Sequence, residues 1–136
     1  MARDVLVDAG FVVALLNRRD THHGWAAALA PQFSPPWHTC EAVLSEAFHL
    51  LGTRGMTALG ELLRRKAVRV AFDLDTNVKP VVALMQKYAD LPMSLADACL
   101  IRMTELLPDP IVLTTDTDFH IYRRHSRQIV PCVLPS

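Results

Sequence analysis

Two short apolar runs in this chain each stop at an aspartate: Asp8 closes Val5-Leu6-Val7, and Asp116 closes Ile111-Val112-Leu113-Thr114-Thr115. Brief runs that are apolar on both sides are characteristic of strands buried in a parallel sheet. An acid directly after such a strand stands at its carboxyl end, outside which open α/β sheets place their function. Two further acids also interrupt apolar sequence, Glu46 within Val43-Leu44-Ser45-Glu46-Ala47-Phe48 and Asp97 within Ser94-Leu95-Ala96-Asp97-Ala98-Cys99-Leu100-Ile101. An isolated carboxylate is rarely buried, because losing water costs an unpaired charge several kcal/mol or more. Acids kept against a core at these places call for a shared counter-charge. With oxygen-bearing side chains as the donors, that counter-charge is most simply a hard divalent cation.

The pattern between these points alternates. After the strand Val5 to Val7, Phe11 to Asn17 reads as a short helix, and Asp20 or Thr21 caps a second one through Trp25 to Leu29. Prolines make the segment from Pro31 to Pro36 a loop. Trp37 to Thr39 is a brief strand, and Thr39 caps a helix to about Leu51. Gly52 to Gly55 separates that helix from another ending near Lys66. Val68 to Phe72 is a strand, Thr76 to Tyr88 a helix with Pro80 in its first turn, and Ser94 to Leu107 a helix stopped by Pro108-Asp109-Pro110. Ile111 to Thr114 is a strand, Phe119 to Arg124 a short helix, and Ile129 to Val133 a last strand. Strands alternating with helices predict an α/β fold, a three-layer sandwich whose central, mostly parallel sheet is flanked by helices.

Composition adds bounds. At 136 residues, 51% hydrophobic and 21% charged, residues 1–136 are expected to form a single domain with a sizeable core. Net charge is zero, so no global field advertises nucleic acid or membrane. Cys40, Cys99 and Cys132 show no CxxC spacing and read as reduced thiols. Asp8 cuts the only apolar run near Met-Ala-Arg-Asp, so no signal peptide is expected, and Phe11 to Leu16 is too short to span a membrane. The expected setting is cytoplasmic.

Each acid has a structural alternative. Ser94-Leu95-Ala96-Asp97 has the form of a capping box, and Asp8 fits the cap of the helix that follows it. Glu46 fits a rim position paired with an arginine. Of Asp116 and Asp118, the first is expected to face the pocket from the end of the sheet and the second to cap the next helix.

The order of the motifs is informative. Val-Asp-Ala-Gly, then a Glu in the helix after the second strand, then Ala-Asp-Ala-Cys-Leu, then Leu-Thr-Thr-Asp-Thr-Asp-Phe resembles the PIN-domain nucleases, including the VapC-like toxins of toxin–antitoxin pairs. The resemblance covers nearly the whole chain. It implies a PIN-like fold in which Asp8, Glu46, Asp97 and Asp116 form an acidic quartet that is both catalytic and metal-binding, with Mg2+ or Mn2+ as cofactor. It further implies endoribonuclease activity on RNA leaving 3′-hydroxyl and 5′-phosphate ends, a small antitoxin protein as partner, and a homodimer. One departure stands out: many relatives carry Ser or Thr shortly after the first Asp, where this chain has Ala9-Gly10.

Other features are weaker. Arg64-Arg65-Lys66, and Arg123-Arg124 with Arg127, fit either a phosphate-tracking surface or solvated helix ends. His22-His23 fits a groove or a surface turn, and Trp25 and Trp37 read as core. Apolar positions around Leu59, Leu62 and Leu63, and around Val81, Val82 and Met85, fit either the core or a dimer interface. A phosphoaspartyl phosphatase would want a second Asp where Gly10 stands, and a receiver would want an acidic pair and a late lysine. A non-catalytic RNA- or protein-binding module on the same fold is the remaining alternative.

Overall fold

The computed structural model describes residues 3–136; Met1 and Ala2, the start of the segment expected to be no signal peptide, lie outside them. Five parallel strands form the sheet: β1 (Asp4–Val7), β2 (Trp37–Thr39), β3 (Val68–Val70), β4 (Pro110–Leu113) and β7 (Cys132–Val133). Their spatial order is β3-β2-β1-β4-β7, with β1 at the centre. The chain builds outward on one side of β1 and then returns to build on the other. The strand order therefore reverses between β1 and β4, and such a switch point opens a crevice at the carboxyl ends of the strands.

Helices α1 (Ala9–Leu16), α2 (His23–Leu29), α3 (Glu41–Arg64), α4 (Val78–Lys87) and α5 (Leu95–Leu106) flank the sheet. Helix α1 packs on α2 and α3, and α4 packs on α5. The burial follows the apolar pattern: Val5, Leu6 and Val7 of β1 and all of β4 are buried, as are Ala96 to Ile101 of α5. Phe11 sits edge-on between Trp25 and Trp37, with ring centroids 5.8 and 5.5 Å away, so both tryptophans pack on the core. Leu59 and Val81 are also fully buried, while Val82 is exposed. Among the described residues no helix is long and apolar enough to cross a membrane.

Several local expectations are corrected. Thr39 does not cap α3; its hydroxyl donates to the Val7 carbonyl at 2.9 Å, and Cys40 is the cap residue without a side-chain bond. The break in α3 is a single residue, Gly52, at φ 64° and ψ −162°. That region is open to glycine alone, so one glycine bends the helix where a four-residue linker was expected. Asp20 bonds the His22 main-chain N–H at 2.8 Å but lies ahead of α2, whose cap is His22. The expected helix at Phe119 to Arg124 is a 3-10 turn, Thr117–His120, followed by a hairpin of β5 (Arg123–Arg124) and β6 (Gln128–Ile129). His125 and Ser126 make its turn with positive φ, a conformation that non-glycine residues rarely announce in sequence.

Candidate active site

Register places the first acid. Val7 pairs with Leu113, so the residues after each strand, Asp8 and Thr114, stand side by side at the switch point. The Thr114 hydroxyl donates to Asp8 Oδ2 at 2.7 Å and accepts the Asp116 main-chain N–H at 3.0 Å. Asp8 Oδ1 accepts the Ala9 N–H at 2.7 Å and so caps α1. The cap and the candidate acid are the same residue, one oxygen serving the helix and the other held by the residue after β4.

Asp97 also has two roles. It closes the capping box of α5: its N–H donates to Ser94 Oγ at 3.0 Å, and Ser94 N–H donates to its Oδ2 at 3.4 Å. The same Oδ2 accepts the Tyr122 hydroxyl at 3.1 Å. Tyr122 is fully buried, packed edge-on against Tyr88 and Phe119. Asp116 caps the 3-10 turn by accepting the Asp118 N–H at 2.9 Å. The expectation that Asp118 is the cap is therefore corrected. Strand β4 ends at Leu113, two residues before the end of its apolar run, and the cap position moves back with it. Glu46, exposed in the first half of α3, makes no ion pair among the described residues.

These four acids, carried by four separate segments, line one cavity of about 280 Å³ together with Gly10, Ser94 and Thr115. Asp118 is not part of its wall. Burial pushes the Asp8 carboxyl up from 3.8 to about 6; the neighbouring charges of Asp97 and Glu46 add to the rise, and the bonds from Thr114 and Ala9 oppose it. Burial also raises Asp97, with Asp116 adding repulsion and the Tyr122 hydroxyl pulling the other way. Carboxyl groups raised by burial and by neighbouring charge in a cleft are a mark of functional sites.

Whether the residues suit a cation is decided by donor chemistry. The ionisable groups of the wall are carboxylates, with neither Cys nor His among the described residues there. That is the donor set of a hard ion such as Mg2+ or Mn2+, not of zinc. Among the described residues no three His, Cys, Asp or Glu side chains gather into a ready shell. Asp8 and Asp97 are each turned to donors of the protein instead. Mg2+ typically takes one or two carboxylates and keeps several waters, so the set fits.

The structure supplies a hydroxyl where the sequence lacked one. A Cβ built on Gly10 would stand 2.0 Å from Thr115 Oγ1. The glycine is what admits Thr115, whose hydroxyl lies beside position 10. Thr114, Thr115 and Tyr122 were not singled out by sequence, since each reaches its partner across a long stretch of chain.

The basic segments do not gather at the acids. Arg123 Nη1 donates to the His120, Ile121 and Tyr122 carbonyls. Arg124 Nη2 donates to the carbonyls of Thr104 and Leu107 at the end of α5. Both guanidinium groups are thus engaged with the chain's own carbonyls. Arg64 pairs with Glu61 at 3.2 Å. The His23 ring meets the Ala14 carbonyl at 2.8 Å and ties α2 to α1.

Comparison with known proteins gives concordant results. The family model described as PIN domain matches residues 5–124. Among solved structures, the chain is similar to the Mycobacterium tuberculosis toxin VapC20, described as cleaving the sarcin–ricin loop. The TM-score is 0.69 at 24% identity, covering 84% of this chain and 91% of that one. At that identity the likeness speaks for the fold. No curated protein matches the chain.

Proposed function

The chain belongs to the PIN domain family, and on that premise we propose that it is a divalent-cation-dependent endoribonuclease, the toxin of a toxin–antitoxin pair. The observation that carries this reading is the convergence of Asp8, Glu46, Asp97 and Asp116 on one cavity at the β1–β4 switch point. The resemblance of the motifs and the similarity to a sarcin–ricin-loop-cleaving toxin point to RNA as substrate and to a small antitoxin protein as partner.

Asp8 and Asp97 would hold Mg2+ or Mn2+, with Glu46 and Asp116 completing its surroundings. A bound cation supplies Lewis-acid polarisation and neutralises charge at the scissile phosphate. The chain's own residues do the rest. Thr114 fixes the Asp8 carboxylate by its hydroxyl, so that the oxygens facing the cavity keep one orientation. Tyr122 does the same for Asp97, its own hydroxyl pushed so far up by burial that it stays a donor. Thr115 lines the same cavity and brings a hydroxyl that suits a water or a phosphate oxygen. The position of Asp8 and Asp97 at the amino-terminal ends of α1 and α5 adds the positive ends of two helices to the same wall.

A homodimer is part of the proposal. Val78, Val82, Leu106, Ile121 and Ile129 are exposed apolar side chains that a second copy could cover. Cleavage of RNA by the purified protein in Mg2+ or Mn2+, and its loss in EDTA and in Asp97→Asn, tests the central reading. Unchanged cleavage in EDTA would overturn it.

A further inference from the structure

A second cavity, of about 450 Å³, opens on the same seam between α1 and α3. Its wall carries Arg18 and Arg19 just past the end of α1 and Arg54 just past the Gly52 bend of α3. No acidic residue lines it among the described residues. None of the three guanidinium groups is in an ion pair there either. Arg19 is bonded through its main-chain N–H to Asn17 Oδ1 at 3.0 Å, which shapes the turn and leaves the guanidinium uncommitted. The contrast with Arg123 and Arg124, whose guanidinium groups are bound to carbonyls, is direct. In a chain of net charge zero, three unpaired arginines around one hollow are a concentrated local field.

Placement says what the field is for. Gly10, near the start of α1, borders the acidic cavity, and Asn17, at its end, borders the basic one. At the helical rise these residues are about 10 Å apart along the axis. On α3, Glu46 and Leu50 face the first cavity and Leu51 and Arg54 the second. A polynucleotide with one phosphate at the acids carries others a few nucleotides away, within reach of that seam. Arginine is suited to receive them, since its planar fork matches two phosphate oxygens at once.

We propose that Arg18, Arg19 and Arg54 form a phosphate-binding subsite that grips the RNA backbone a few nucleotides from the scissile bond, the strand running along the α1–α3 seam. The inference rests on the ribonuclease reading above and names how that site holds its substrate. The three arginines are positioning residues: they set where the strand lies and touch no reacting atom.

The test uses the wild-type protein and R18Q/R19Q/R54Q with fluorescein-labelled single-stranded RNA. Circular dichroism melts should coincide, because all three side chains are exposed. Binding is measured in EDTA over a range of salt. The slope of log affinity against log salt should become shallower by about 0.7 for each phosphate that the variant no longer neutralises, whatever the RNA sequence. In Mn2+ the variant should show a raised KM and unchanged kcat on a long strand. It should match the wild type on an oligonucleotide too short to reach from the acids to the arginines. An unchanged salt slope and unchanged KM would overturn the proposal. So would loss of poly-glutamate binding with RNA binding intact, which would assign the hollow to an acidic peptide. Should the wild type cleave no RNA at all, the ribonuclease reading falls, while the salt slope still judges the arginines by themselves.

Discussion

Tyr122 donates its hydroxyl to Asp97 Oδ2 at 3.1 Å, so the acid of α5 is held by a residue beyond the end of β4. The bond works against burial and against Asp116, both of which raise the Asp97 carboxyl. Tyr122→Phe keeps the ring among Tyr88 and Phe119 and removes the donor alone. The Asp97 pKa should then rise further, and the acid limb of the pH profile of kcat/KM should move to higher pH. A stability loss of about 1 kcal/mol should accompany it. Superimposable pH profiles would show that the hydroxyl does not tune the acid.

Asp8→Asn should separate charge from structure. The Asp8 carboxyl titrates near 6 in the fold against 3.8 ordinarily, so without cation the folded state binds its proton more tightly than the unfolded chain does. Stability contributed by that proton is present at low pH and lost as pH climbs from 3.8 through 6. Asp8→Asn should remove this fall, a gain on the order of 3 kcal/mol at neutral pH in EDTA. The same variant should abolish cleavage and show a smaller rise in melting temperature with Mg2+ than the wild type. Equal rises in the two proteins would place the ion elsewhere.

Gly10 and Thr115 should behave as one unit. Gly10→Ala forces its Cβ against Thr115 Oγ1 and should cost about 1–3 kcal/mol as well as cleavage rate. Thr115→Ala should keep the fold and slow cleavage. Combining Gly10→Ser with Thr115→Ala returns a hydroxyl from the opposite side and should recover both stability and rate. Strict additivity of the separate Gly10→Ser and Thr115→Ala effects, read by melts and initial rates, would refute the exchange.

Gly52→Ala tests the bend in α3. At φ 64° and ψ −162° any side chain is strained, and a loss of about 1–3 kcal/mol in chemical denaturation is expected. If α3 straightens to relieve it, Arg54 leaves the seam and RNA affinity falls as well. A variant as stable as the wild type would show that the backbone at position 52 carries no strain that only glycine relieves.

Light scattering at micromolar concentration should give about twice the chain mass. Val82→Glu, on an exposed apolar position of α4, should return the monomer without loss of fold. A monomer in both proteins would remove the dimer from the proposal.

What could be read from sequence followed the apolar patterning. Strands β1 and β4 announce themselves because both faces are buried, and the acids that close those runs mark the site. The capping box at Ser94 is local and was visible for the same reason. The rest depends on partners remote in sequence. Thr114 and Asp8 are brought together by strand register, and Thr115 meets Gly10 only once the sheet is closed. Asp116 and Asp118 lie two residues apart on either side of Thr117, so which one caps is set by where β4 stops pairing. The hairpin of β5 and β6 turns on His125 and Ser126, whose positive φ no local propensity signals. Arg123 and Arg124 looked like free charge because the carbonyls they bind belong to turns and helix ends that form only in the fold.

The pairing of β1 with β4 has a consequence for the order of events during synthesis. Asp8 is made among the first residues, but its hydroxyl partner and the acid beside it come more than a hundred residues later. A chain still being translated thus carries Asp8, Glu46 and Asp97 without the strand that assembles them, and a domain generally folds as a unit. Such long-range closure is also slow compared with local helix formation. A ribosome making this protein would therefore be exposed to an unassembled site until β4 has emerged and docked. On the proposed function, activity begins only after β4 has docked, which leaves an interval in which the proposed antitoxin could reach the chain before it is competent to cut.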